Sequence, residues 1–432
     1  MNNRKMIVTV SLIFILSLLL IPFSEEVRSA EKEVVIGSAS DLTGPFAGSA
    51  TGISEGRKGY VRYVNEKLGG IKGVRVKIID VDTGFNIDRE VSAFKKFRDE
   101  DKALFMQNQN SGAAYAIERI IEESGKGGMA RTHTAAPTNI FRGPGSWFFA
   151  SWSMPGDAGI ALLRWWMANK WIKKEKPKVA IVNSDVTIGH LEAILIRDFL
   201  SHANIPIVAD FIISPRPMDT TSFVLNIKKE NADVVVGAQT DLGYTTFLKD
   251  MKRYGLSIPA LSPCCLDENA LKVLGDSALG TFVCFPAPLW SDVDVPAVSF
   301  VHQLFKEWYP GETKRANYAF FWGWIQSAIA VEAIKRAMDK VGYEGLVTDL
   351  EKGRKIVRDV MENEMRGYDC GGMTKPLIYK PDDHRAFDEY RIYQVVPGAE
   401  FKFVGWSKGA TLRPEQKTVK WWEDAIKGIT KK

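Results

Sequence analysis

The sequence predicts an α/β chain built as two lobes, each a parallel sheet covered on both faces. Three observations predict it. Short β-branched apolar runs alternate with longer amphipathic stretches from Glu33 onward, the order of βα units. The pattern restarts after Asp157. The chain has 432 residues, more than one hydrophobic core comfortably serves.

The elements follow in order. Val34 to Ser38 is a strand. Ile53, Tyr60, Val61, Val64 and Leu68 fall at helical spacing, and Gly69-Gly70 ends that helix. Val74 to Val81 is a strand, Asp88 to Asp99 a helix and Ala103 to Met106 a short strand. Ser111 to Ser124 reads as a helix that starts on a serine cap, and Trp147 to Ser151 as a strand. After the restart, helices are expected over Asp157 to Trp171, Leu191 to Ala203, Phe223 to Asn231 and Tyr244 to Tyr254. Strands are expected over Lys178 to Asn183, Ile207 to Ile213 and Asp233 to Ala238. The last third holds two helices, Tyr318 to Val341 and Leu346 to Met365. Antiparallel strands follow at Leu377 to Lys380, Tyr390 to Val396 and Phe401 to Trp406, expected to pack on an existing sheet edge. No repeat or low-complexity linker separates the lobes, so more than one crossing is expected to tie them.

The first thirty residues read as a secretory signal peptide. Arg4 and Lys5 precede an apolar run from Met6 to Phe23, and a short polar stretch ends at Ala30. Cleavage is expected after Ser29 or Ala30. The alternative is an uncleaved anchor, since ~18 apolar residues is the short edge of a spanning helix; the flanks favour cleavage. No cysteine stands near the cut, so no lipid anchor is expected, and no later segment is apolar enough to span.

The formal net charge is +5, and removing Arg4, Lys5 and Arg28 against Glu25 and Glu26 leaves +4. That excess is small and dispersed, so nucleic acid is not an expected partner. Cys264, Cys265, Cys284 and Cys370 stand where an exported chain permits disulfides, and sequence does not choose the pairing; a bond between the two neighbours is strained, so a more distant partner is expected for either. There is no metal-ligand spacing and no cofactor motif, so neither a metal nor a cofactor is expected. An exported enzyme is disfavoured by the absence of a G-x-S-x-G, H-E-x-x-H or P-loop signature and by five scattered histidines. Asp382 and Asp383 beside His384 read as a solvated turn.

Several segments occur in a recognisable order. They are Thr43-Gly44-Pro45 after the first strand, Asn65 to Gly73 (NEKLGGIKG), Asp82 closing the next strand, and Ser111 to Ala114 (SGAA). Thr134 to Pro137 (TAAP), Ala180 to Asn183, Ala232 to Gly237 and Pro376 to Ala386 follow. The mature chain thereby resembles the branched-chain amino-acid-binding type of periplasmic solute-binding protein, with the type I binding-protein fold. The resemblance implies two doubly wound lobes joined by three crossings, with a ligand cleft between them and no catalysis. With residues 1–30 read as the signal peptide, it places lobe 1 at 31–152 plus 286–367, and lobe 2 at 153–285 plus 368–432. It implies a monomeric periplasmic receptor that hands a small molecule, an amino acid or organic acid, to an inner-membrane ABC permease. A ligand-sensing module for a membrane signalling receptor is the alternative.

The site follows from strand ends and helix starts. Ser111, with the N–H groups of Gly112 and Ala113, forms an anion site at a helix N-terminus, and the resemblance assigns it a ligand carboxylate. Thr134, Ala135 and Ala136 resemble the family's second gripping segment, the hydroxyl being Thr134 or Thr138. In the second lobe Thr187, Gln239 and Asp241 stand at the equivalent loops, where the family often has aromatic residues. Its acidic ammonium anchor falls near Cys264, and the carboxylates on offer are Asp241 and Asp267. Phe46, Trp152 and Tyr318 stand where they line the cleft. A weak ammonium anchor among aromatic loops favours a carboxylate ligand with an apolar or aromatic body.

Overall fold

The computed structural model describes residues 32–133, 145–152, 154–237, 239–264, 266–313 and 315–412, with Gln416 and Asp424. Two sheets organise them. The first runs β1 (Glu33–Ser40), β2 (Arg75–Asp82), β3 (Phe105–Asn108), β4 (Ala130–His133) and β5 (Phe148–Ala150), in spatial order β2-β1-β3-β4-β5. All its pairings are parallel; Ile36 sits between Ile78 and Phe105. Helices α1 (Ala47–Leu68), α2 (Ile87–Asp99) and α3 (Ser111–Ser124) form its βα connections. Gly69, in the left-handed region at φ 70°, closes α1 by donating to Val64 O, as the glycine pair predicts.

The second sheet holds β6 (Val179–Ser184), β7 (Ile207–Ile213), β8 (Val234–Val236), β9 (Ala260–Ser262), β10 (Phe282–Phe285), β11 (Glu389–Val396) and β12 (Glu400–Lys408). Its order is β12-β11-β10-β9-β8-β6-β7. The last two strands add antiparallel to the β10 edge, with Val283 opposite Tyr393. Helices α4 (Pro155–Asn169), α5 (Thr187–His202), α6 (Thr221–Lys229), α7 (Asp241–Arg253) and α8 (Glu268–Leu274) belong with it. The chain then returns through α9 (Pro296–Trp308), α10 (Tyr318–Val347) and α11 (Leu350–Asn363) before reaching β11, so it passes between the sheets three times.

Helix α10 lies along α1 on the first sheet. Two glycines permit the approach: a Cβ on Gly56 would overlap the Phe320 carbonyl, and one on Gly323 would overlap the Ile53 carbonyl. Gly342, at φ 71°, breaks α10 close to its expected end at Val341.

Beneath α1 lies a buried polar hub. Arg57 is fully buried and donates to Gln326 Oε1 at 2.8 Å, Ser38 Oγ at 2.9 Å, Ala39 O at 3.1 Å and Ser40 Oγ at 3.2 Å. Asp80 accepts from Ser38 Oγ and Ser40 Oγ, each at 2.7 Å, and from the Ser54 hydroxyl. This hub pins the end of β1 to α1 and α10, which fixes the loop that follows β1.

Leu377 to Lys380 forms no strand; it carries one isolated bridge, Lys380 to Asp383, in the crossing from α11 to β11. Asp383 and His384 are not solvated. Arg385 clamps Asp383, and His384 stacks on Phe149 at 4.1 Å with its ring nitrogens facing Phe148 O (2.9 Å) and Glu362 Oε1 (3.3 Å).

Candidate functional site

In each sheet the strand order reverses at one place, and there the carboxyl-end loops splay to opposite faces and leave a crevice. In the first sheet this falls between β1 and β3, in the second between β6 and β8. Phe46, Ser111, Gly112 and Ala113 stand at the first switch point. Thr187, Gln239 and Asp241 stand at the second.

The first loop is tied down from both sides. Asp82 accepts from Leu42 N and Thr43 Oγ1, each at 2.9 Å, and from Gly84 N at 3.0 Å. Its slight burial opposes ionisation, but the Gly84 N–H and the Thr43 hydroxyl outweigh it and hold the carboxyl below its ordinary range. Asp41 Oδ2 accepts from Phe46 N at 2.8 Å, and Asp41 N donates to Gln109 Oε1 at 2.8 Å. A side chain at Gly44 would collide with the Asp41 carboxylate, which is why the Thr-Gly-Pro turn needs glycine.

The turn after β3 is built on Glu90, a buried acid on α2. It accepts from Asn108 Nδ2 at 2.8 Å and from the N–H groups of Gln109 and Asn110. Burial pushes Glu90 up to about 7, against these donors and Arg57. Asn110, not Ser111, caps α3: its Oδ1 accepts from Gly112 N at 2.8 Å and Ala113 N at 3.2 Å. The two N–H groups expected to grip an anion are therefore already satisfied. Asparagine wins because its side chain reaches the second and third helical N–H groups from the extended position before the helix. The Ser111 hydroxyl is left 1% exposed as a residue and without a hydrogen-bond partner, at the positive end of the helix.

In the second lobe Thr240 caps α7. It accepts from Gly243 N at 2.9 Å and donates to Pro215 O at 2.6 Å, while its own N–H goes to Ser184 Oγ at 3.0 Å. Gln239 beside it is buried, and its Oε1 has no partner. Asp241 opens α7; its side chain lies outside the described set. Thr187 opens α5 exposed, behind Val186, which offers no side-chain cap. The rims meet. Phe46 lies 4.8 Å from Phe85 and packs against Tyr244 and Cys264 of the other lobe, and α3 touches α5. Asn110 Nδ2 donates to Phe85 O at 2.5 Å, joining the Ser111 turn to this apolar wall.

A family model described as periplasmic binding protein matches residues 33–400. The chain belongs to the periplasmic binding protein family. Among solved structures, a branched-chain amino acid ABC transporter protein from Thermus thermophilus with bound valine is 18% identical. It superposes with a TM-score of 0.75 over 88% of this chain and 97% of that one. A solute-binding protein from Rhodopseudomonas palustris BisB5 in complex with 3,4-dihydroxy benzoic acid is 16% identical, with a TM-score of 0.67 over 88% and 96%. A fatty acid ABC transporter substrate-binding protein from Thermomonospora curvata is 18% identical, with a TM-score of 0.73 over 88% and 93%. At these identities the likeness is one of fold. No curated protein matches the chain.

The other expected site residues of this periplasmic binding protein fall differently. Thr134, Ala135, Ala136 and Thr138 lie outside the described residues. Trp152 and Tyr318 are fully buried at the crossings: Trp152 stacks on Trp322 at 4.9 Å, and Tyr318 lies 4.6 Å from Phe285. His133 is buried, and burial with the nearby Arg57 pushes it down to about 3, so it stays neutral. Asp267 is spent capping α8, with Oδ1 accepting from Ala270 N at 2.6 Å, which removes it as a ready ammonium anchor. Cys264, Cys284 and Cys370 are free, buried thiols, so no disulfide joins them; Cys265 lies outside the described residues. Among the described residues no cluster has metal-ligand geometry, and no helix is long and apolar enough to cross a membrane. Two surface cavities, about 820 and 430 Å³, are lined by residues of neither switch-point pair.

Proposed function

We propose that this chain is the solute-binding receptor of an ABC importer. It closes by hinge motion around a small carboxylate-bearing ligand whose body is apolar or aromatic. The observation that carries this reading is the Ser111 hydroxyl, buried without a partner at the start of α3. Leaving such a group unpaired costs about 1–3 kcal/mol, which a ligand oxygen recovers. A carboxylate accepts from it and gains from the helix dipole. Gln239 and Thr187 supply polar contacts from lobe 2, with Asp241 and the Thr134 to Ala136 segment as further members, and Phe46 flanks the ligand's body. Trp152 and Tyr318 brace the crossings behind the site.

The lobes are assigned as 31–152 plus 286–367 and 153–285 plus 368–432, with residues 1–30 as the export signal. The receptor acts as a monomer in the periplasm, without a lipid anchor, and delivers its ligand to an inner-membrane permease without transforming it. With Asp267 spent as a cap, an organic acid fits better than a zwitterionic amino acid, because a buried ammonium needs an acidic partner or several acceptors. Both ligand kinds occur in proteins of this fold, as the valine and dihydroxybenzoate complexes record.

Isothermal titration with benzoate, 3,4-dihydroxybenzoate, a short aliphatic acid, L-valine and L-leucine tests the reading. At least one acid is expected to bind with a Kd of about 1 μM or tighter, near −8 kcal/mol. The amino acids should bind at least ~10-fold more weakly, equivalent to about 1.4 kcal/mol. Tight leucine binding with no binding of any acid contradicts the ligand class.

A further inference from the structure

Helix α8 packs on α7 and touches β12, so it moves with the second sheet, whereas α10 lies on α1 and moves with the first. Glu268, the first residue of α8, joins the two. Its Oε1 accepts from Trp290 N at 3.0 Å and its Oε2 from Tyr318 N at 3.1 Å. Tyr318 opens α10. Trp290 stands in the crossing between β10 and α9, its ring stacked on His302 at 4.2 Å and on Phe321 at 4.8 Å. One carboxyl group of lobe 2 thus holds the backbone of a crossing and the backbone of lobe 1 together.

We propose that Glu268 is a proton-operated latch of the hinge: it engages when the lobes close and takes up a proton as it does so. The inference rests on the hinge-closure reading above. The charges around it set the sign. Asp267, the cap of the same helix, repels it, with Lys272 near Asp267. Asp292 in the crossing is already engaged by Leu289 N, Tyr393 Oη and Arg391. His302 faces the Trp290 ring, and burial lowers its pKa. The Tyr318 ring sits in the aromatic cluster. Among the described residues no lysine or arginine pairs with Glu268.

Burial and then Asp267 push Glu268 from 4.5 up to about 7, against the Tyr318 and Trp290 N–H groups. An opened hinge returns the carboxyl to water and its ordinary value. The latched arrangement therefore binds the proton more tightly. Its advantage is complete below the open-state value of 4.5 and is lost as pH rises through about 7. The closing equilibrium should fall on the order of 100-fold between acid and mildly alkaline pH, since each unit of pKa difference is a factor of ten.

Small-angle scattering on the ligand-free protein from about pH 5.5 to 8.5 tests this across the expected titration. The radius of gyration should rise with pH, with its midpoint at or below the latched value. E268Q cannot titrate, and its amide can accept from only one of the two N–H groups, so its radius should not vary with pH. D267N keeps the capping oxygen but removes the repelling charge, so it should move the midpoint to lower pH. A wild-type radius independent of pH overturns the proposal, as does an E268Q protein that still follows the wild-type profile. If E268Q does not fold, an unmoved midpoint in D267N overturns it. No ligand is present, so failure here leaves the receptor reading standing, and failed ligand binding leaves this measurement intact.

Discussion

Replacing Arg57 by alanine should cost about 3–5 kcal/mol of stability, the penalty for removing one partner from a buried charged network. The guanidinium is fully buried and serves Gln326, Ser38, Ser40 and the Ala39 carbonyl, with Asp80 sharing both serines. Its loss strands those acceptors and leaves the Asp80 carboxylate without its nearby cation. Urea unfolding of mature wild type and R57A measures the difference, with the slope checked for two-state behaviour. A change below about 1 kcal/mol would mean the hub is dispensable.

Ser111→Ala should have the opposite profile. The hydroxyl has no partner in the fold, so removing it should not lower the unfolding free energy and should raise it by up to about 1–3 kcal/mol, the cost of leaving it unpaired. Ligand affinity should drop by about 1.5–3 kcal/mol, the worth of a hydrogen bond to a charged group, or roughly 10- to 150-fold. The two readouts, titration and urea unfolding, separate a binding role from a structural one. Unchanged affinity removes Ser111 from the site.

Much of this architecture is legible in the residues because parallel strands buried on both faces read as apolar runs and their helices as one-sided patterns. Strand β4 is not, and the reason is chemical. Ala130–His133 is polar in composition, yet Arg131 is buried between the Phe94 and Phe148 rings and paired with Glu118 at 2.5 Å. A run carrying an arginine and a histidine gives no strand signal when the compensation comes from α3, thirteen residues earlier. Leu377 to Lys380 errs in the other direction. Its alternation is real, but it serves a crossing: Leu377 N bonds Tyr368 O, and the Tyr379 hydroxyl reaches the Ala150 carbonyl.

The site divides the same way. The Thr-Gly-Pro turn and Ser111 are readable because loop chemistry and helix starts are local. That Asn110 rather than Ser111 caps α3 is also local, and the adjacent asparagine was the available signal. The support from Glu90 is not local: an acid twenty residues upstream holds the Asn110 N–H, and nothing in its own neighbourhood announces burial. The burial of His384 likewise depends on Glu362, Phe148 and Phe149, which only the fold brings to it.

The most direct measurement is a crystal structure of the protein with the acid that binds it most tightly. The account predicts the ligand between the two switch points, its carboxylate within hydrogen-bond distance of Ser111 Oγ, its body against Phe46 and a polar contact from Gln239. A ligand seated elsewhere, with the Ser111 hydroxyl still unpaired, would contradict it.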